Sequence, residues 1–140
     1  MNGIFSLDKN KHHEIRTIVN HLTENTKSYQ LIKSVLEDSS KAAYQGKIFV
    51  NSDAQKTDGY QLSKAILLNK DAEFNAKPEL EIYADDVKCS HGSASGSLNE
   101  ESIFYLMSRG LNYNQARELL INGFLPVSYT HLTLPTKRIV

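Results

Sequence analysis

A chain of 140 residues has room for one ordinary domain, or for part of a larger one. Its 16 Lys and Arg balance 16 Asp and Glu, which excludes a broad electrostatic field holding nucleic acid or an anionic membrane; partners must be recognised by shape or by specific groups. An apolar fraction of 40% with 23% charged residues excludes disorder for most of the chain, and one cysteine excludes an internal disulfide framework.

The N-terminus, Met1 to Asp8, has no basic segment followed by a long apolar stretch, and no apolar run approaches the roughly 18 residues that span a bilayer, so a cytoplasmic protein is expected. Up to about Gly96 the apolar residues form short clusters rich in Ile, Val, Leu, Tyr and Phe, separated by Gly, Asn, Asp and Ser. This texture predicts strands at Ile4 to Leu7, Ile15 to Leu22, Tyr29 to Leu36, Lys47 to Asn51, Tyr60 to Leu68, Leu80 to Tyr83 and Val87 to Ser90. Self-comparison sharpens the picture. The run Tyr29-Gln30-Leu31-Ile32-Lys33-Ser34-Val35-Leu36 recurs 31 positions on as Tyr60-Gln61-Leu62-Ser63-Lys64-Ala65-Ile66-Leu67, and the same offset sets Ile18-Val19-Asn20 on Phe49-Val50-Asn51. A fixed period in this range predicts the stacked coils of a β-solenoid; the alternative is an ordinary sandwich with two similar amphipathic strands.

Beyond Gly96 the texture turns helical. Asn99 as N-cap, Glu100 and Glu101 in the first turn, and Ile103, Phe104, Leu106 and Met107 before Gly110 predict a helix over Asn99 to Arg109. Asn112 with Gln115 reads as a capping box opening a second helix, Tyr113 to Asn122, stopped at Gly123. Both are too short to be stable in isolation and must pack on the strands or on another segment. The division expected is thus residues 1–97 for a solenoid body, 98–126 for a helical part, and 127–140 for a tail of foreign origin that contains no acidic residue.

Chemistry is most concentrated at Leu80-Glu81-Ile82-Tyr83-Ala84-Asp85-Asp86-Val87-Lys88-Cys89-Ser90-His91-Gly92. In extended chain Cys89 and His91 point to one face, giving a thiol and an imidazole side by side. These are two of the roughly four ligands a soft metal such as iron or zinc requires, so the others must come from another chain. His12 and His13 are adjacent and face opposite ways, as expected of a solvated loop; Asp85-Asp86 reads as a turn; Ser90 beside His91 has no third orienting partner for a hydrolase triad. No phosphate-cradling loop is present, so this chain should not itself hydrolyse ATP.

The run Asp85-Asp86-Val87-Lys88-Cys89-Ser90-His91-Gly92 resembles the SufB/SufD family of iron-sulfur cluster assembly scaffolds. Ala54-Gln55-Lys56-Thr57-Asp58, Leu80-Glu81-Ile82, Ile103-Phe104-Tyr105-Leu106 and Ser108-Arg109-Gly110 join it in that resemblance, which extends to about Phe124. Cys-Ser-His-Gly, where the B-type branch carries a Glu-His-Glu-type stretch, favours the D-type branch. The resemblance implies a mainly β protein, a right-handed parallel β-helix followed by a short helical C-terminal part, here as a C-terminal fragment. It implies a non-catalytic scaffold that joins a SufB-like subunit and a SufC-like ATPase, with a transient iron-sulfur cluster shared with the partner. His91 and Cys89 match the family's interface residues, the histidine being the better candidate for handling iron or cluster. The alternatives are a metal-dependent β-solenoid enzyme, against which no hexapeptide repeat or same-face carboxylate cluster appears, and a purely structural interaction module.

Overall fold

The structure, a computed structural model, describes residues 1–125; the tail expected at 127–140 lies outside them. Seven strands come first: β1 (Asn2–Leu7), β2 (His12–His21), β3 (Lys27–Leu36), β4 (Lys41–Val50), β5 (Asp58–Leu67), β6 (Glu73–Ile82) and β7 (Lys88–Gly96). They alternate between two sheets, ordered β1-β3-β5-β7 and β2-β4-β6, and all their pairings are parallel. Two strands and two corners thus make one coil, and each coil pairs edge to edge with the next. The chain is mainly β, and the solenoid expected from its repeat is what it forms.

The 31-residue offset is the register of β3 on β5, where Tyr29 faces Tyr60 and Leu36 faces Leu67. It is not the register of β2 on β4: there Ile18 faces Lys47 and Asn20 faces Phe49, two residues short of the alignment expected from the repeat. A slip of two preserves which side chains face inward, so the false alignment carries no penalty in the hydrophobic pattern and is invisible to it.

Every strand runs longer than its apolar cluster, and three do so by five residues or more. β4 begins at Lys41, six residues before the cluster, because Ala42, Tyr44 and Gly46 face inward on a strand already paired to β2. β6 begins at Glu73 and contains Pro78, whose missing N–H is tolerated because β6 is the last strand of its sheet. β7 continues through Gly-Ser-Ala-Ser-Gly to Gly96, held by its pairing to β5 rather than by strand propensity.

The interior is apolar near both corners and polar between them. At one corner Ile48, Val50, Ala54 and Ala84 pack with Leu80, Val87 and Cys89; at the other Leu36, Ala42 and Ala72 pack with Phe5, Leu7, Leu67 and Phe74. Burying Leu36, Ile48 or Val50 contributes roughly 1.5–3 kcal/mol each. Between these clusters lie the buried Gln30, Ser34, Tyr44, Gln61 and Ser63. The corners are stitched coil to coil: Asp38 accepts from the Lys9 backbone at 2.9 Å, and Asn69 accepts from the Asp38 backbone at 2.7 Å. Lys9, Asn25, Asp38 and Lys56 turn the corners with left-handed backbone.

Two helices follow, α1 (Glu100–Ser108) and α2 (Tyr113–Phe124). Asn99 caps α1 by accepting from Glu101 and Ser102, and Asn112 and Gln115 complete the capping box of α2 in both directions. Gly110, at φ 105°, takes the left-handed conformation that ends the first helix region. Gly123 does not stop the second: α2 runs on to Phe124. Packing overrides the glycine there, because Ile121, Leu125 and Phe124 close over Val35, Ile66 and Leu68 on the outer side of the first sheet. The Lys33 ammonium also donates to the Phe124 carbonyl at 2.7 Å, closing the helix end. No described helix is long and apolar enough to cross a membrane.

Candidate functional site

β7 pairs on one side with β5, and its other edge is free among the described residues. In that register Cys89 faces Gly59, His91 faces Gln61 and Ser93 faces Ser63. Gly59, Gln61, Ser63 and Ala65 form the buried, inward side of β5, so Cys89, His91 and Ser93 carry that inward side one coil further, to where the stack opens. The thiol and the imidazole therefore share a face, as their spacing predicts.

Their surroundings differ. Cys89 is half-buried against the Ile48, Val50 and Ala84 cluster, in space left by Gly59: a Cβ there would lie 3.6 Å from the Cys89 Sγ. Burial pushes this thiol up from its ordinary value and the nearby Asp58 charge adds to that, while a backbone hydrogen bond at Gly59 draws it partly back. The thiolate, which is the form that binds metal or attacks sulfur, is thereby disfavoured at neutral pH. His91 is exposed on the open side, and its ring makes no hydrogen bond among the described residues. A gap of about 10 Å³ lies beneath it, walled by Tyr44, Gln61, Ser63, Ala76, Pro78, Gly92 and Ser93. Ser63 and Ser93 hydroxyls meet at 3.2 Å, the Tyr44 hydroxyl pairs with Thr17 at 2.9 Å, and Gln61 donates its side-chain N–H to the Gly46 carbonyl at 3.1 Å.

Among the described residues no three of His, Cys, Asp and Glu gather as a metal site. Cys89 and His91 share the inward face of β7 with no third such side chain gathered beside them among those residues. The other motifs disperse. His12 and His13 open β2 as exposed strand residues rather than sitting in a loop, because Lys41 and Ala42 pair with them; His13 lies against the Phe5 ring at 4.9 Å between centroids. Asp85 and Asp86 form the corner between β6 and β7, where the Asp86 carbonyl accepts from Lys56 and its N–H donates to Gln55. Ser90 faces outward in the Tyr60 row, on the side of β7 opposite His91. A larger open groove of about 370 Å³ at the outer corner, among Lys27, Lys56, Asp58, Asp86 and Lys88, contains neither Cys89 nor His91. Its mixed charges give no single-sign field.

Gln61, Ser63 and Tyr44 are the site neighbours that motif reading missed. Period-two alternation could have found the first two, since they stand on the inward side of β5 where apolar residues are the rule.

The sequence model described as "SUF system FeS cluster assembly, SufBD core domain" matches residues 1–124. The chain is 44% identical over 116 residues to "Iron-sulfur cluster assembly protein SufD" of Escherichia coli K12, covering 83% of this chain and 27% of that protein. It is 45% identical over 95 residues to an "Iron-sulfur cluster assembly SufBD family protein" of Synechocystis, covering 68% of this chain and 21% of that one. Against "Protein ABCI7, chloroplastic" of Arabidopsis thaliana it is 45% identical over 98 residues, covering 69% and 21%. The chain thus spans about a quarter of the length of these relatives.

Proposed function

The chain belongs to the SufBD family of iron-sulfur cluster assembly proteins, and on that premise we propose that it is a scaffold segment whose His91, assisted by Cys89, presents ligands for a nascent cluster toward a paralogous SufB-like subunit. The observation that carries this reading is the placement of both side chains on the inward face of the last strand, where the coil stack opens. Two donors hold iron or cluster weakly and leave coordination positions for a partner. Cargo that must later be released is suited to such a shared site.

The two donors divide the work by their protonation chemistry. A neutral imidazole has a lone pair available without losing a proton; the Cys89 thiol must first ionise against the burial that holds it protonated. His91 is therefore the principal ligand and Cys89 the secondary one. The chain itself catalyses no turnover, and ATP is hydrolysed by a SufC-like partner. The exposed Phe104, Tyr105 and Met107 of α1 and Tyr113 and Leu119 of α2 offer that ATPase an apolar face.

The test replaces His91 with alanine in the complete protein. Cluster assembly by the complex should fall to background while the subunits still co-purify. Full cluster assembly by H91A would overturn the reading.

A further inference from the structure

Gln61 sits directly opposite His91 in the β5–β7 register, on the same inward face, and both line the same gap at the mouth of the stack. Its exposure is 2%. One end of its amide is committed, the N–H donating to the Gly46 carbonyl; the other end, the carbonyl oxygen, has no hydrogen-bond partner. A buried acceptor left alone is unfavourable, and such atoms in native proteins have a partner or a role. On the other side of the gap, the His91 imidazole has a ring N–H and no described acceptor. The gap of about 10 Å³ has room for no more than roughly one water between them.

We propose that Gln61 is the positioning residue of His91: its orphan carbonyl oxygen accepts the imidazole N–H across this gap and leaves the opposite ring nitrogen, with its lone pair, turned toward the open end. Committing the amide N–H to Gly46 is what makes the arrangement directional. With one amide N–H bonded to Gly46 the nitrogen end of the amide is held at the second sheet, and the carbonyl oxygen is the end left for the ring, so one neutral tautomer is selected. Histidine ligands generally need such an outer partner to fix ring orientation and tautomer. The inference rests on His91 acting as a ligand, and it adds the residue that makes the ring a defined one.

The test uses the complete protein with its histidines labelled with nitrogen-15, the His91 imidazole signals being assigned by their loss in H91Q. At a pH where the ring is neutral, the parent should show one dominant His91 tautomer. Q61M, close in volume and without an acceptor, should give the mixture typical of a free imidazole; Q61E, which keeps an acceptor at the same reach, should restore the single tautomer. His91-dependent cluster assembly should fall about tenfold or more in Q61M and recover in Q61E. An unchanged tautomer ratio in folded Q61M overturns the proposal, as does a free-imidazole mixture in folded Q61E. Should H91A retain cluster assembly, the ligand reading fails, whereas the tautomer measurement judges Gln61 independently of it.

Discussion

Replacing Gly46 with alanine probes how tightly the polar middle of the solenoid is packed. Gly46 faces inward on β4 and lacks a left-handed φ, so the backbone accepts alanine, and the smaller entropy of the unfolded chain would by itself stabilise by about 0.4–1 kcal/mol. The methyl group decides otherwise. It would lie 2.2 Å from the Gln61 carbonyl oxygen, 2.7 Å from the Tyr44 hydroxyl and 2.9 Å from the Tyr44 ring. These are ends of flexible side chains, but both residues are buried, and the Gln61 amide is tied to the Gly46 carbonyl at 3.1 Å. Relief requires breaking that bond, at about 1 kcal/mol, and pushing two side chains into occupied space, at roughly 1–3 kcal/mol. The net expectation is a loss of about 1–3 kcal/mol, a fall in Tm on the order of 5–10 °C for a chain of this size, read by far-UV circular dichroism. In a Q61A background the Gln61 part of the obstruction is gone and only Tyr44 still opposes the methyl, so the cost of G46A should shrink by more than about 0.5 kcal/mol. Equal cost in both backgrounds, or a G46A chain as stable as the parent, would refute the packing argument.

Two further outcomes concern buried titratable groups. Lys33 is 2% exposed, over the Phe124 ring and bonded to its carbonyl; burial pushes its ammonium down from its ordinary value and Lys64 adds repulsion. The unfolded chain then binds the proton more tightly, so stability rises as pH climbs through the window below 10.5. K33M should abolish that rise and be neutral or stabilising by about 1 kcal/mol in urea unfolding; a loss above about 3 kcal/mol would show that the charge is needed. His21 is 4% exposed between the hydroxyls of Thr26 (2.6 Å) and Ser28 (2.8 Å), and burial lowers it from 6.5. Its contribution is complete above pH 6.5 and is lost as pH falls through 6.5 toward the lower folded value. H21Q should therefore lose less Tm than the parent between pH 7.5 and 5.5, and an equal loss in both would contradict this.

The local signals were legible in the chain. Asn99, Asn112 and Gln115 foretold both helix starts because a cap is made within three residues of itself. The repeat shared by β3 and β5 foretold their pairing. Cys89 and His91 share a face because extended chain repeats every two residues. What escaped was everything set at a distance. Six of the strands span nine or ten residues, but the corners do not match: five residues lie between β2 and β3 and seven between β4 and β5. The coil period therefore drifts, which is why β2 meets β4 at 29 positions while β3 meets β5 at 31. Gly123 continues a helix because Val35, far away in sequence, packs beneath its last turn. Gln61 lies beneath His91 because two strands stack in one register, 30 residues apart. Caps and alternation follow from covalent neighbours and were fixed by the residues alone; register, strand extent and the company His91 keeps depend on how corners and coils settle against one another, and only the folded chain decided them.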